Sequence, residues 1–427
     1  MNISLTANDV RTCSGGCAYC TACRSMDYMM NYGNKFALDT LVAIDEHNFN
    51  TWKRDWDKVA ETLEHHEQFL DEMKKPEGSR FAHFDLWGAD PATNLLMTKE
   101  MHSFIKDFCD KHGFRYTISS STNGLPLLRD DICEWHQNNN VTLQISHDAL
   151  GQWIRTGDVE PLEFDNTKRL IKNGTLNVIN TTLNFYNNDM MANLMFWTNY
   201  LMKIFPAIFS PTDVCTPEEE AIYRRLYIKL NHIYDGTPAI KKAIINRKGL
   251  YNGKEYDCFK GKPIGNINFH NIDGFRALDD YINSYYHIAA LMMDEKQMND
   301  PALIPFRQYI NDQLNRFLTM TSTEDRIGAC RSYQRYKHHI GDWKNQNHQT
   351  FVIDTMGQYS ECNLIDGNAT TTNPGGVQPD YCKDCKYRLT HECNPCGSEA
   401  FTEKCEYRYR WAQFLESMTW LKAMKRT

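Results

Sequence analysis

Between Asn2 and Ile233 the chain alternates short apolar strands with amphipathic helices, and the early strands run into turn signals. Asn2 to Thr6 reads as a first strand. Arg80 to Trp87, with Phe81, Phe84 and Leu86 apolar, reads as a second that stops at Gly88-Ala-Asp-Pro91, and Arg115 to Ser121 as a third that stops at Thr122-Asn-Gly124. Val141 to Ser146, Thr175 to Leu183 and Leu226 to Ile233 follow as the fourth, fifth and sixth. The intervening helices are expected over 51–74, where Trp52, Trp56, Val59, Leu63 and Phe69 form an apolar stripe, and over 98–112, 132–137 and 164–173. Two more apolar helices are expected over 275–293 and 302–318. Strand and helix alternating at this spacing make a parallel sheet with helices outside, a full or partial barrel of α/β class. In such folds the working residues sit where strands end at their C-terminal edge.

The first such edge carries Cys13-Ser-Gly-Gly-Cys17-Ala-Tyr-Cys20. Three thiolates spaced C-x3-C-x2-C can wrap one corner of a cubic iron-sulfur cluster, and the two glycines let the backbone turn closely around it. One iron is then left for a ligand from outside the protein, which points to chemistry rather than electron storage. Zinc is the competing reading, but the first 60 residues offer no convincing second ligand pair. Cys23 extends the series and is assigned a structural role, because a fourth thiolate would close the site.

This spacing, with Tyr19 before the third cysteine, resembles the signature of the radical S-adenosylmethionine (radical SAM) superfamily. The resemblance implies that Cys13, Cys17 and Cys20 hold a 4Fe-4S cluster, and that the amino and carboxylate groups of SAM chelate its open iron. Reductive cleavage would then give a 5'-deoxyadenosyl radical that abstracts hydrogen. Gly88-Ala89-Asp90-Pro91 resembles the family's Gly-Gly-Glu-Pro segment, with Ala for the second Gly and Asp for Glu. Ser121-Thr-Asn123-Gly124 resembles its Thr-Asn-Gly, and Ser146 followed by Arg155 resembles a segment that meets SAM. Tyr19, Gly88, Ala89, Asp90, Asn123, Ser146 and Arg155 are thereby implied as cofactor contacts. Two of these have a plainer reading beside them: Gly-x-Asp-Pro is a common turn, and an arginine after a turn is commonly exposed.

The last hundred residues change character. Cys330, Cys362, Cys382, Cys385, Cys393, Cys396 and Cys405 lie in a Gly- and Asn-rich region with too little apolar periodicity to fold by burial alone, and metal can supply the missing folding energy. By spacing alone, Cys382-x2-Cys385 and Cys393-x2-Cys396 suit a four-cysteine zinc ribbon. The flank Gly357-Gln-Tyr-Ser-Glu-Cys362 resembles instead the Gly-x4-Cys of the SPASM extension of radical SAM enzymes. That resemblance implies two auxiliary 4Fe-4S clusters, one on Cys330, Cys362 and Cys396 and the other on Cys382, Cys385, Cys393 and Cys405. The fourth ligand of the first is open, or is Cys258. The whole then divides into a partial (β/α)6-type TIM barrel over 1–240, a bridging region over 241–324, and a C-terminal cysteine-rich cluster-binding domain over 325–427.

Fifteen cysteines with no secretory leader pattern point to metal in a reducing, cytoplasmic compartment rather than to disulfides. The remaining lone cysteines, Cys109, Cys133 and Cys215, read as buried packing. No apolar run approaches the roughly 20 residues of a membrane span, and a net charge of −7 gives no electrostatic footprint for polymeric nucleic acid. The resemblance implies an enzyme that crosslinks or otherwise modifies a peptide or protein side chain, fed by a reductant such as flavodoxin or ferredoxin. A nucleotide, modified base or small metabolite is the alternative substrate, and a non-catalytic zinc-stabilised binding protein is the alternative class. Asn363 stands where alcohol-oxidising relatives carry an Asp base, and its amide cannot accept a proton, so that branch is disfavoured unless Asp366 or another acid takes the role.

Overall fold

The computed structural model describes residues 1–7, 10, 13, 38–88, 90–156, 159–183, 187–232, 248–251, 254–257, 350–360 and, with gaps, 283–310. Six parallel strands lie side by side in chain order: β1 (Asn2–Thr6), β2 (Phe81–Trp87), β3 (Arg115–Thr122), β4 (Val141–Ser146), β5 (Leu176–Leu183) and β6 (Tyr227–His232). They are the six expected from the sequence, with ends shifted by no more than one residue. A separate antiparallel ribbon joins β7 (Lys248–Tyr251) to β8 (Lys254–Asp257). β9 (Thr350–Asp354) adds to the main sheet in parallel on the free side of β1, and β10 (Tyr359–Ser360) turns back antiparallel on β9. The sheet therefore runs β10-β9-β1-β2-β3-β4-β5-β6 and is open, with β10 and β6 at its edges.

The crossovers are helical. α1 (Leu38–Thr51), α2 (Trp56–His65) and α3 (Glu67–Met73) precede β2, and α4 (Leu95–His112) and α5 (Asp130–Asn138) follow β2 and β3. α6 (Trp153–Thr156) and α7 (Asp165–Lys172) lie between β4 and β5, and α8 (Met190–Ile204), α9 (Pro206–Phe209) and α10 (Pro217–Arg225) between β5 and β6. The single helix expected over 51–74 is two helices. Its break is at His66, whose ring nitrogen accepts the Gln68 N–H (3.2 Å) to start α3 and whose ring stacks on Phe351 of β9 at 3.9 Å. α8 and α10, not expected from periodicity, have clear caps: Asp189 accepts from Met191 N and Ala192 N, and Thr216 accepts from Glu219 N ahead of Pro217.

One face of the sheet is apolar and helix-covered. Phe84 and Leu86 of β2 share a cluster with Met97, Met101 and Ile105 of α4, while Leu143, Ile145 and Ile179 pack with Leu170, Trp197 and Leu201. Cys109 and Cys133 belong to these clusters as packing residues, and burial pushes both thiols up to about 12. Cys215, expected to be buried, is instead only partly covered, in the loop before α10.

The β9–β10 hairpin is pinned to the barrel. Thr355 N donates to Thr6 O (3.0 Å), Asp55 N to Thr355 O (2.7 Å), Trp52 Nε1 to Thr355 Oγ1 (2.9 Å) and Thr62 Oγ1 to Gly357 O (2.8 Å). Gly357 sits at φ +76°, and a Cβ there would come within 2.8 Å of the Lys58 backbone. Only glycine meets both demands. No helix of the described residues is long and apolar enough to cross a membrane.

Candidate active site

The C-terminal ends of β1, β2 and β3 bring the chain after β1 against two turns, Ala7 beside Gly88 and Cys13 beside Asn123. After β1, Ala7 N donates to Trp87 O (3.2 Å), which holds the outgoing chain beside the end of β2. Cys13 follows and is 7% exposed, and Asn123 Nδ2 lies 3.5 Å from its Sγ. Cys17, Tyr19, Cys20 and Ala89 lie outside the described residues, as do Cys258, Asn363 and all seven C-terminal cysteines, Cys330, Cys362, Cys382, Cys385, Cys393, Cys396 and Cys405. Among the described residues no group of His, Cys, Asp or Glu is assembled that could hold a metal ion.

Asp90 is the bracket between the loops. Its Oδ1 accepts from Thr93 N (3.2 Å) and its Oδ2 from Asn123 N (2.8 Å) and Thr122 Oγ1 (3.4 Å). Burial raises its carboxyl to about 6, against the pull of those N–H donors. Both oxygens are thus engaged by the protein, and the side chain is only 3% exposed. Gly124 closes the second turn at φ +89°, where a Cβ would lie 2.6 Å from Pro161 Cβ and 2.9 Å from Ile145 Cδ1.

Farther along the edge, Ser146 ends β4 beside Asn180 of β5. Arg155 is not the exposed arginine of the plainer reading: it is 8% exposed, and its Nη2 donates to Asp148 Oδ1 (2.9 Å) and Thr182 Oγ1 (3.3 Å). Asp148 Oδ1 also takes Thr182 N (3.0 Å). The adjoining backbone is unusual, with Ala149 at φ +47°. His147 Nδ1 accepts from Ala149 N (3.0 Å), so Nε2 carries the proton and donates to Glu160 Oε1 (2.8 Å). Burial works to raise Glu160, but His147 and the Leu162 N–H together outweigh it and hold its carboxyl below the usual range.

The inner face of the sheet, away from the helices, is polar. Asp85 Oδ1 accepts from Ser119 Oγ (2.6 Å) and Gln144 Nε2 (3.2 Å), its Oδ2 accepts from Trp87 Nε1 (2.8 Å), and Gln144 Oε1 accepts from Asn180 Nδ2 (3.3 Å). His83 reaches Thr117 Oγ1 (2.8 Å) and Ser119 Oγ (3.4 Å), and burial lowers its pKa despite the nearby Asp85. One hydrogen-bonded chain therefore crosses β2, β3, β4 and β5. None of these residues stood out from the sequence. The signal was present, however: parallel strands covered on both faces read as continuous apolar runs, whereas these alternate.

No protein-family model matches the chain, and no curated protein matches it in sequence. Solved structures do. The chain is similar to native anSMEcpe with bound AdoMet at a TM-score of 0.51 and 14% identity, covering 99% of this chain and 98% of that one. It is similar to native anSMEcpe with bound AdoMet and Cp18Cys peptide at 0.50 and 13%, covering 99% and 97%, and to a polyhistidine-tagged anSMEcpe with bound AdoMet at 0.50 and 14%, covering 99% and 98%. At such identity the likeness is one of fold, and that fold is the α/β parallel sheet with helices outside that the sequence predicts.

Proposed function

We propose that this chain is a radical SAM enzyme that modifies a peptide or protein side chain. The observation that carries the reading is the buried Cys13 thiol held against the Asn123 turn, at the C-terminal edge of an open sheet with a polar inner face. These surroundings suit a cluster ligand: a buried thiol, an N–H donor directed at the sulfur, and short-range order imposed by Asp90 and Gly124. Cys13 with Cys17 and Cys20 would hold a 4Fe-4S cluster, and the seven C-terminal cysteines two more. When bound, the cluster and SAM supply the one-electron cleavage that yields a 5'-deoxyadenosyl radical.

The protein's own part is to position and enclose. Asp90 locks the Gly88–Pro91 loop to the Asn123 turn, so both present fixed backbone groups at the strand ends. Arg155, ion-paired to buried Asp148 and hydrogen-bonded to Thr182, braces the segment after β4 against the end of β5. The Asp85–Gln144–Asn180 chain gives the substrate polar partners inside the sheet. The extension to peptides draws on anSMEcpe, an anaerobic sulfatase-maturating enzyme, one structure of which holds a peptide. A cytoplasmic location and a flavodoxin- or ferredoxin-type reductant belong to the same reading.

Anaerobic reconstitution tests it. Three cubanes give on the order of twelve irons per chain, a brown colour and 5'-deoxyadenosine from SAM under reductant. Cys13→Ala abolishes that product while the C-terminal iron remains. A colourless protein that retains zinc in place of iron overturns the reading.

A further inference from the structure

We propose that Asn123 is a positioning residue that acts through Cys13: its side-chain N–H donates to the Cys13 thiolate and thereby raises the reduction potential of the cluster held by the Cys13–Cys20 loop. The inference rests on the radical SAM reading above and concerns a residue which that reading places at SAM instead.

The orientation of the Asn123 amide is fixed by its neighbours. Its Oδ1 accepts from Leu125 N at 2.9 Å, which leaves Nδ2 as the end that faces Cys13 Sγ at 3.5 Å, a normal length for an N–H donor to sulfur. The backbone on either side is also fixed: Asn123 N donates to Asp90 Oδ2 at 2.8 Å, and Gly124 N donates to Thr122 Oγ1 at 3.1 Å. Gly124 at φ +89° is wedged under Pro161 and Ile145, so the turn cannot be rebuilt by a residue with a side chain without displacing them. Asn123 is 5% exposed and Cys13 7%, so water competes poorly for either group.

A thiolate that ligates a cluster becomes more electron-rich when the cluster is reduced. A donor fixed on that sulfur stabilises the reduced state more than the oxidised one, and so raises the potential. In a dry site the effect is larger than in water, because the field of the N–H dipole is less screened. Easier reduction of the cluster is the step on which SAM cleavage depends.

The test is a reductive titration of the N-terminal cluster, followed by electron paramagnetic resonance without SAM, in a chain whose auxiliary cysteines Cys382 and Cys385 are replaced to simplify the spectrum. Asn123→Ala removes the donor and lowers the midpoint potential. Asn123→Asp keeps the acceptor for Leu125 N but sets a carboxylate against the sulfur, and lowers it further. An unchanged potential in both, with iron content intact, overturns the inference and leaves the radical SAM reading standing. An unaltered chain that never assembles the cluster overturns the reading itself. Should either variant lose its cluster, the unsubstituted chain decides. Asparagine labelled with 15N only at the side-chain amide gives a hyperfine coupling to the reduced cluster if Asn123 donates, and no coupling overturns the inference. The stretch Cys13–Cys20 contains no asparagine to confuse the assignment.

Discussion

The two faces of the same sheet are built from the same strands and do opposite work. On the helix face Phe84, Leu86, Leu143, Ile145 and Ile179 are fully buried against α4, α7 and α8. On the inner face the neighbouring residues, His83, Asp85, Ser119, Gln144 and Asn180, are tied together by hydrogen bonds. Apolar burial yields about 25 cal/mol per Å² and so accumulates, while a typical hydrogen bond nets only about 1 kcal/mol after its competition with water. The fold is therefore held from outside. Closed barrels of this general type fill their interior with layers of branched apolar side chains; this open one lines it with groups that a polar ligand can use.

The sharpest way to break the comparison is a truncation on each side of β2. Phe84→Ala, which empties a fully buried site, is expected to cost about 3–5 kcal/mol in chemical denaturation. If it costs under 1 kcal/mol, the helix face is not what holds the sheet.

A smaller effect is expected where the faces meet. Asp90 titrates at about 6 in the folded chain against a model-peptide value of 3.8, because it is buried. Its native form therefore holds the proton more tightly than the unfolded chain, and stability from this group is full below about pH 4 and lost as pH rises through about 6. The stability of the unsubstituted chain relative to Asp90→Asn should fall by up to about 3 kcal/mol between pH 4 and pH 7. Asp45, also raised to about 6 mainly by burial, adds the same sign of slope to both proteins and cancels in the difference. A flat difference curve would place Asp90 in a far more polar setting than its contacts indicate.

The smallest stability effect is expected on the inner face. Asp85→Asn retains one acceptor oxygen and nearly the same shape, and is expected to change stability by about 1 kcal/mol or less. Under the proposed function, substrate modification should nonetheless fall at least about tenfold, since each 1.4 kcal/mol lost in positioning is a factor of ten in rate. Cleavage of SAM without substrate should persist. Loss of stability equal to that of Phe84→Ala would mean that this chain of hydrogen bonds is structural.

What the sequence disclosed follows the same division. Strand positions were legible because apolar alternation and punctuation are local: β1 and β4 have the ends read from Asn2 to Thr6 and from Val141 to Ser146. The break at His66 was not, since the ring of Phe351 that receives it lies far away in the chain. Asn123 was picked out by its Thr-Asn-Gly turn, but its contact with Cys13 depends on two loops converging at the sheet edge. Asp85 was overlooked for a related reason. Its partners Ser119 and Gln144 become neighbours only through cross-strand register, which places Asp85 opposite Ser119 and Ser121 opposite Gln144.

The pairing of β9 with β1 sets a timetable for synthesis. β1 leaves the ribosome first, yet the strand that covers its free edge begins at Thr350. At roughly 5–20 residues per second, the roughly 340 residues between them take on the order of 17–70 s to make. Throughout that interval the strand that feeds the cysteine loop offers a row of unsatisfied backbone groups to any other nascent chain. Closing so long a loop also makes this the contact of highest order in the sheet, and such contacts form late. The β1 edge is therefore expected to be covered only after the hairpin at 350–360 has been made.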